Sequence, residues 1–141
     1  MALTKKQRAE LKMKFGGHCA YCGEVLGDKW HADHFEPVVR DFKWEKCPKK
    51  GYLVAKQTGE LLKPENDTMD NMMPACIRCN LNKSSIPLEG WRNILSNYIS
   101  GLNNHGKYAM YQHAKSFGLV VDTNKPVVFF FEKWEGEHES E

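Results

Sequence analysis

Nowhere does the sequence hold the roughly 18 consecutive apolar residues that a membrane-spanning helix needs. Residues 1–15, MALTKKQRAELKMKF, also lack the apolar stretch and small-residue cleavage site of a secretory signal. A cytoplasmic protein with no membrane partner is therefore expected. Internal repeats and low-complexity tracts are absent too, and 141 residues suit one domain, a compact unit with a helical extension. Cysteine is scarce: five residues, an odd number, four of them in two Cys-x-x-Cys pairs. In a reducing compartment such pairs favour a metal over disulfides. Neither sign of charge dominates, with 20 Lys and Arg against 18 Asp and Glu. The last ten residues nevertheless hold five Glu against Lys133, net −4, which leaves +6 on the first 131. That modest basic bias suits a polyanionic partner, and a solvated surface equally well.

Local signals divide the chain. Thr4 and Gln7 have the spacing of a capping box, predicting a helix over 4–14 that Gly16-Gly17 stops. Residues 30–35 read as a short strand ended by Glu36-Pro37. Residues 38–68 are the least patterned: Cys47-Pro48-Lys49-Lys50-Gly51 and Gly59 are turn signals around a candidate strand over 52–55. Between 38 and 64, seven Lys or Arg face three acids, interleaved with Phe42, Trp44 and Tyr52. A helix is predicted to start at Cys76 and reach Ser84. Beyond Pro87, Leu88, Trp91, Leu95, Tyr98, Ile99 and Leu102 form an amphipathic stripe broken at Gly101 and Asn103-Asn104. A further helix is expected over 107–117, a turn over 122–126, a strand over 127–131, and a frayed acidic tail after Trp134.

Cys19/Cys22 and Cys76/Cys79 offer four soft thiolates, the set zinc prefers in a closed tetrahedral site. Redox dithiols are the alternative, but two pairs of one spacing in a short chain favour a structural zinc that staples the start of the domain to its middle. A closed site has no open coordination position, so its task is fold energy. Cys47 has no partner of this kind. His18, beside Cys19, either supports the knuckle or is exposed.

Between the pairs lies His31-Ala32-Asp33-His34-Phe35-Glu36-Pro37, and the second pair sits in Asp70-Asn71-Met72-Met73-Pro74-Ala75-Cys76-Ile77-Arg78-Cys79-Asn80-Leu81-Asn82-Lys83-Ser84. Over residues 15–86 this resembles the HNH endonuclease family, particularly its zinc-clamped phage and prophage members. The family pattern is Cys-x-x-Cys, Asp-His with an apolar residue and Pro, a middle Asn, then Cys-x-x-Cys-Asn-x-x-Lys. The resemblance implies an α+β fold: a small ββα-metal core with a four-cysteine zinc site over 1–86, carrying a basic insertion at 38–68. Helices, a terminal strand and the acidic tail follow over 87–141. It also implies a DNA endonuclease in which His34 is the general base, and Asp33 and Asn80 hold one magnesium or manganese ion. Asn71 would bond backbone across the hairpin loop and hold His34 in aim. Lys83, one turn beyond Asn80, would touch a flanking phosphate, and Arg78 on the same helix would join it.

The departure from the family lies between Pro37 and Asn71. Here the connection is longer, basic and aromatic. Either Lys43, Lys46, Lys49 and Lys50 grip DNA, or this is a hairpin whose lysines face water. His31 would share a strand face with Asp33, approaching the metal, or be an ordinary hydrogen-bonded histidine. The motif leaves open a branched-DNA resolving enzyme, a homing enzyme, and an accessory to phage packaging or recombination proteins. It also leaves open a non-catalytic zinc module. The helices after Pro87 would close the core or form the seam of a homodimer.

Overall fold

A computed structural model describes residues 2–136; the acidic tail beyond them, 137–141, lies outside the described residues. Helix α1, Lys5–Lys12, begins on the expected capping box. The Thr4 hydroxyl accepts from the Gln7 amide at 3.1 Å and Gln7 Oε1 accepts from the Thr4 amide at 3.0 Å, satisfying two donors that a helix start otherwise leaves open. Strands β1, His31–His34, and β4, Met72–Ala75, form one antiparallel pair in the register His31–Ala75, Asp33–Met73 and His34–Met72. All four residues of β4 are buried, so this pair is anchored to the core. Strands β2, Arg40–Lys46, and β3, Leu53–Leu61, form a second antiparallel ribbon, an excursion from the chain between β1 and β4. Helix α2, Ile77–Lys83, follows β4 at once, with Cys76 as its N-cap. The architecture is α+β: small two-stranded sheets, helices and a cluster of four cysteines.

The stripe beyond Pro87 folds as two helices rather than one, α3, Leu88–Ser96, and α4, Tyr98–Asn104. The break is at Asn97, whose side-chain amide donates to the Asn93 carbonyl at 2.8 Å and competes with the helix backbone. A single 3₁₀ turn then leads into α5, Ala109–Ser116. No helix among the described residues is long and apolar enough to cross a membrane.

The strand expected over 127–131 does not form. Residues 120–129 have no regular structure and Phe130–Lys133 is a short helix, α6. The amides that would have entered a strand ladder donate instead to the first cysteine turn, Phe130 to the Tyr21 carbonyl at 2.9 Å and Phe131 to the Ala20 carbonyl at 2.8 Å. Arg92 holds this segment from α3, donating to the Val127 carbonyl and to both Glu132 oxygens, each at 2.7 Å. One core results, in which Leu11, Phe15, Cys19, Tyr21, Trp30, Met72, Trp91 and Phe129 are buried together. Trp91 stacks on Phe129 with centroids 5.0 Å apart, and Tyr21 meets Trp91 edge-on at 5.1 Å.

Candidate metal centre and adjoining cleft

The first Cys-x-x-Cys lies on a tight turn in which Gly23 donates to the Cys19 carbonyl at 3.0 Å and Cys19 donates to Glu24 at 2.7 Å. Gly23 has φ +81°, and a Cβ there would meet the Phe130 ring at 2.8 Å, so only glycine permits both the turn and the close approach of α6. Ala20 donates to Pro74 of β4 at 2.8 Å, which brings the turn beside the second pair. Cys76 caps α2 and accepts from the Cys79 amide at 3.4 Å. His18 supports the turn, its Nδ1 2.9 Å from the Gly23 carbonyl and its ring 5.1 Å from Phe130.

As a result the four sulfurs of Cys19, Cys22, Cys76 and Cys79 all lie within 4.8 Å of one another, with Cys22 and Cys76 at 3.9 Å. A tetrahedron with metal–sulfur bonds of about 2.3 Å has edges of about 3.8 Å, so the cluster fits a single ion. Thiols this close cannot all ionise unaided. A hydrogen bond from Cys79 lowers Cys19 to about 4, the same contact raises Cys79, and burial pushes Cys22 up to about 11. A divalent cation is the partner that would let all four become thiolates. Cys47 stands apart, half-buried at the far end of β2.

Next to this cluster, Asp33, His34 and Asn80 line one cleft of about 320 Å³. Residues 37–40 and the turn after α2 complete its walls. Two wall residues, Val39 and Ser84, have φ +51°, a positive φ that is costly for any side chain and most of all for the β-branched Val39. Asp33 is buried, and both of its partners engage Oδ2: the Tyr21 hydroxyl donates at 2.5 Å and Lys83 Nζ sits 3.4 Å away. Burial raises the Asp33 pKa, against the lowering effect of the Tyr21 bond and the Lys83 charge. Burial and the neighbouring Asp33 likewise raise Tyr21, which stays a hydroxyl.

His34 Nε2 lies 2.9 Å from Asp67 Oδ1. Asn71 makes three bonds around the loop that follows His34: its Oδ1 accepts from the Glu36 amide at 2.9 Å, and its Nδ2 donates to the Glu36 and Asn66 carbonyls at 2.8 and 2.6 Å. Asn80 pairs its Nδ2 with His31 Nδ1 at 2.6 Å, so its oxygen is the atom it offers to the cleft. His31 is thus a hydrogen-bonded histidine that orients Asn80.

Lys83 does not take its expected place at the surface. The expected contact with a flanking phosphate needs an exposed side chain, and Lys83 is fully buried. It reaches inward because Asp33, the one buried carboxylate among the described residues, lies beneath α2; its Nζ also donates to the His34 carbonyl at 3.2 Å. Arg78 is exposed on α2, 3.6 Å from Glu24. Lys43, Lys46, Lys49 and Lys50 are all exposed on the ribbon, outside the cleft. Sequence spacing gave no sign of Asp67, which is 33 residues from His34 in an unpatterned stretch. Nor did it single out Tyr21, the x-position of a cysteine turn.

Comparison with known proteins adds no relative: no family model, no curated protein and no solved structure matches this chain.

Proposed function

We propose that this protein is a DNA endonuclease of the HNH type, with a structural zinc in the four-cysteine cluster and a catalytic divalent ion in the cleft. The observation that carries the reading is the meeting of Asp33, His34 and Asn80 at one cleft beside that cluster, from segments 46 residues apart. Four sulfurs suit zinc in a closed site. The Asp33 carboxylate and the Asn80 amide oxygen are hard donors that suit magnesium or manganese, which would stabilise charge on the scissile phosphate.

His34 takes a proton from a water in the cleft as that water attacks phosphorus, and the bond to the 3′ oxygen breaks; that oxygen takes a proton from solvent, leaving 5′-phosphate and 3′-hydroxyl ends. With Asp67 accepting from Nε2, the basic lone pair of His34 is on Nδ1. Asp67 is therefore a positioning residue. Asn71 holds the loop that follows His34, and Lys83 with Tyr21 fixes the Asp33 carboxylate through Oδ2.

The test is cleavage of supercoiled plasmid with magnesium, manganese or chelator, by wild type and His34→Ala. Wild type should cut only with added metal, and His34→Ala should lose at least about 10²-fold in rate while keeping its fold and metal content. A His34→Ala protein that cuts at the wild-type rate would sink the assignment.

A further inference from the structure

No residue of the β2–β3 ribbon is buried. Its strand register sorts its side chains by face. Phe42 stands opposite Gln57, Trp44 opposite Ala55, and Lys46 opposite Leu53. On the other face Lys43 stands opposite Lys56 and Glu45 opposite Val54. Two acids on that second face are engaged: Glu45 pairs with Lys43 at 3.1 Å and Lys56 at 3.5 Å, and Asp41 accepts from Thr58 at 2.9 Å. The first face has no carboxylate between 42 and 57. It presents Phe42, 50% exposed, and Trp44, 64% exposed, edge to face at 5.5 Å, with Lys46 beside them. Lys49 and Lys50 project at the tip.

Exposed aromatic rings on a face with cations and no anions match one chemistry well. Nucleobases stack on aromatic rings while lysines meet the phosphates between them. Bases inside an intact duplex offer only their edges, which are read by hydrogen-bonding side chains rather than rings. The ribbon also rises from the cleft itself, since Arg40, the first residue of β2, lines it beside His34 and Asn80.

We propose that the Phe42–Trp44 face of the ribbon binds unpaired bases of a DNA strand, so that the substrate is DNA carrying a gap, flap or junction. This rests on the nuclease reading for the cleft. Trp44 is four residues along β2 from Arg40, about 13 Å at strand rise. At about 3.4 Å per stacked nucleotide, the unpaired bases lie about four nucleotides from the bond in the cleft.

The experiment measures affinity by fluorescence anisotropy for an intact duplex and for the same duplex with a four-nucleotide gap. It uses the full-length His34→Ala protein, so that binding is read without cleavage. Phe42→Val/Trp44→Val keeps strand-forming residues but removes the rings. It should weaken binding to the gapped duplex by at least about fivefold, the loss of one stacked base, and change the intact duplex by less than about twofold. Trp44→Tyr, which keeps a ring, should retain gapped-duplex affinity. Equal losses on both DNAs, or no loss on the gapped one, overturn the inference while leaving the nuclease reading in place. If the double variant instead changes the oligomeric state and leaves gapped-duplex affinity intact, the face belongs to a second copy of the chain and the inference falls. Folded protein that binds neither DNA overturns the nuclease reading together with it.

Discussion

Tyr21, Trp91 and Phe129 are buried against one another over the cysteine cluster, whereas Phe42 and Trp44 on the ribbon stand in water. The same residue types thus have opposite surroundings in two parts of one small chain. In the first region each ring removes apolar surface from solvent. In the second, two strands with no layer packed beneath them gain little from their rings, because an isolated two-stranded hairpin is only marginally stable. Stability therefore resides with the cysteine frame, and the composition of the ribbon answers to something outside the fold.

That contrast breaks first at the cysteines. Cys76→Ser should abolish metal content and cooperative unfolding together, because a structural zinc contributes on the order of 10 kcal/mol in small metal-folded domains. Cys47→Ser, at the far end of β2, should cost less than about 0.5 kcal/mol. Elemental analysis of wild type should find about one zinc per chain; thermal melts of both variants complete the comparison. Folded wild type without metal, or equal melting of the two variants, would remove the frame as the seat of stability.

The two regions were not equally legible in the sequence. The cysteine frame could be read because metal ligation imposes a fixed spacing, and the capping box at Thr4 because two hydrogen bonds demand residues three apart. The ribbon is legible only in part: the sequence marks the turn at 47–51, but it gives β2 no clear strand signal, and β3 runs to Leu61, well past the expected 55. Its strands alternate weakly because neither face is buried, so the pattern that betrays most strands is missing. The residues 127–131 looked like a strand because Val and Phe favour one; tertiary hydrogen bonds to Ala20 and Tyr21 decided otherwise. Lys83 departs from expectation for a related reason. A lysine is exposed unless a buried anion calls it in, and nothing local to Asp33 announced its burial.

The Asp33–Lys83 pair gives the next largest effect. Lys83→Met leaves a carboxylate buried with Tyr21 as its remaining close partner, and losing one member of a buried pair costs about 3–5 kcal/mol. The pH dependence has a definite sign. Burial already raises the Asp33 pKa, and removing the Lys83 charge raises it further. A raised carboxyl pKa penalises the folded state in full above that pKa, and the penalty fades as pH falls from there toward the ordinary carboxylate range. The deficit of Lys83→Met relative to wild type should therefore shrink along a series of falling pH. Urea melts of both proteins along that series measure it. A deficit that grows on acidification would mean that Asp33 is not the group Lys83 neutralises.

The smallest effect on stability, and the sharpest contrast with the frame, belongs to the ribbon lysines. Replacing Lys43, Lys46, Lys49 and Lys50 with Gln should alter melting by less than about 0.5 kcal/mol per site, since all four side chains are exposed. Their influence should appear in DNA affinity instead. Each phosphate contact releases counterions, so losing one should flatten the slope of log affinity against log salt by about 0.9 on duplex DNA. The four are not equivalent. Lys43 already meets Glu45 at 3.1 Å on the face opposite Trp44, whereas Lys49 and Lys50 project from the tip. Lys49→Gln/Lys50→Gln should therefore account for most of the flattening, and Lys43→Gln for the least. Affinity measured across a salt series for wild type, the tip pair and the quadruple variant separates these contributions. An unchanged slope in the quadruple variant would show that the lysines serve only to keep the ribbon in water. The exposed rings would then be the whole of what the ribbon offers to a nucleic acid.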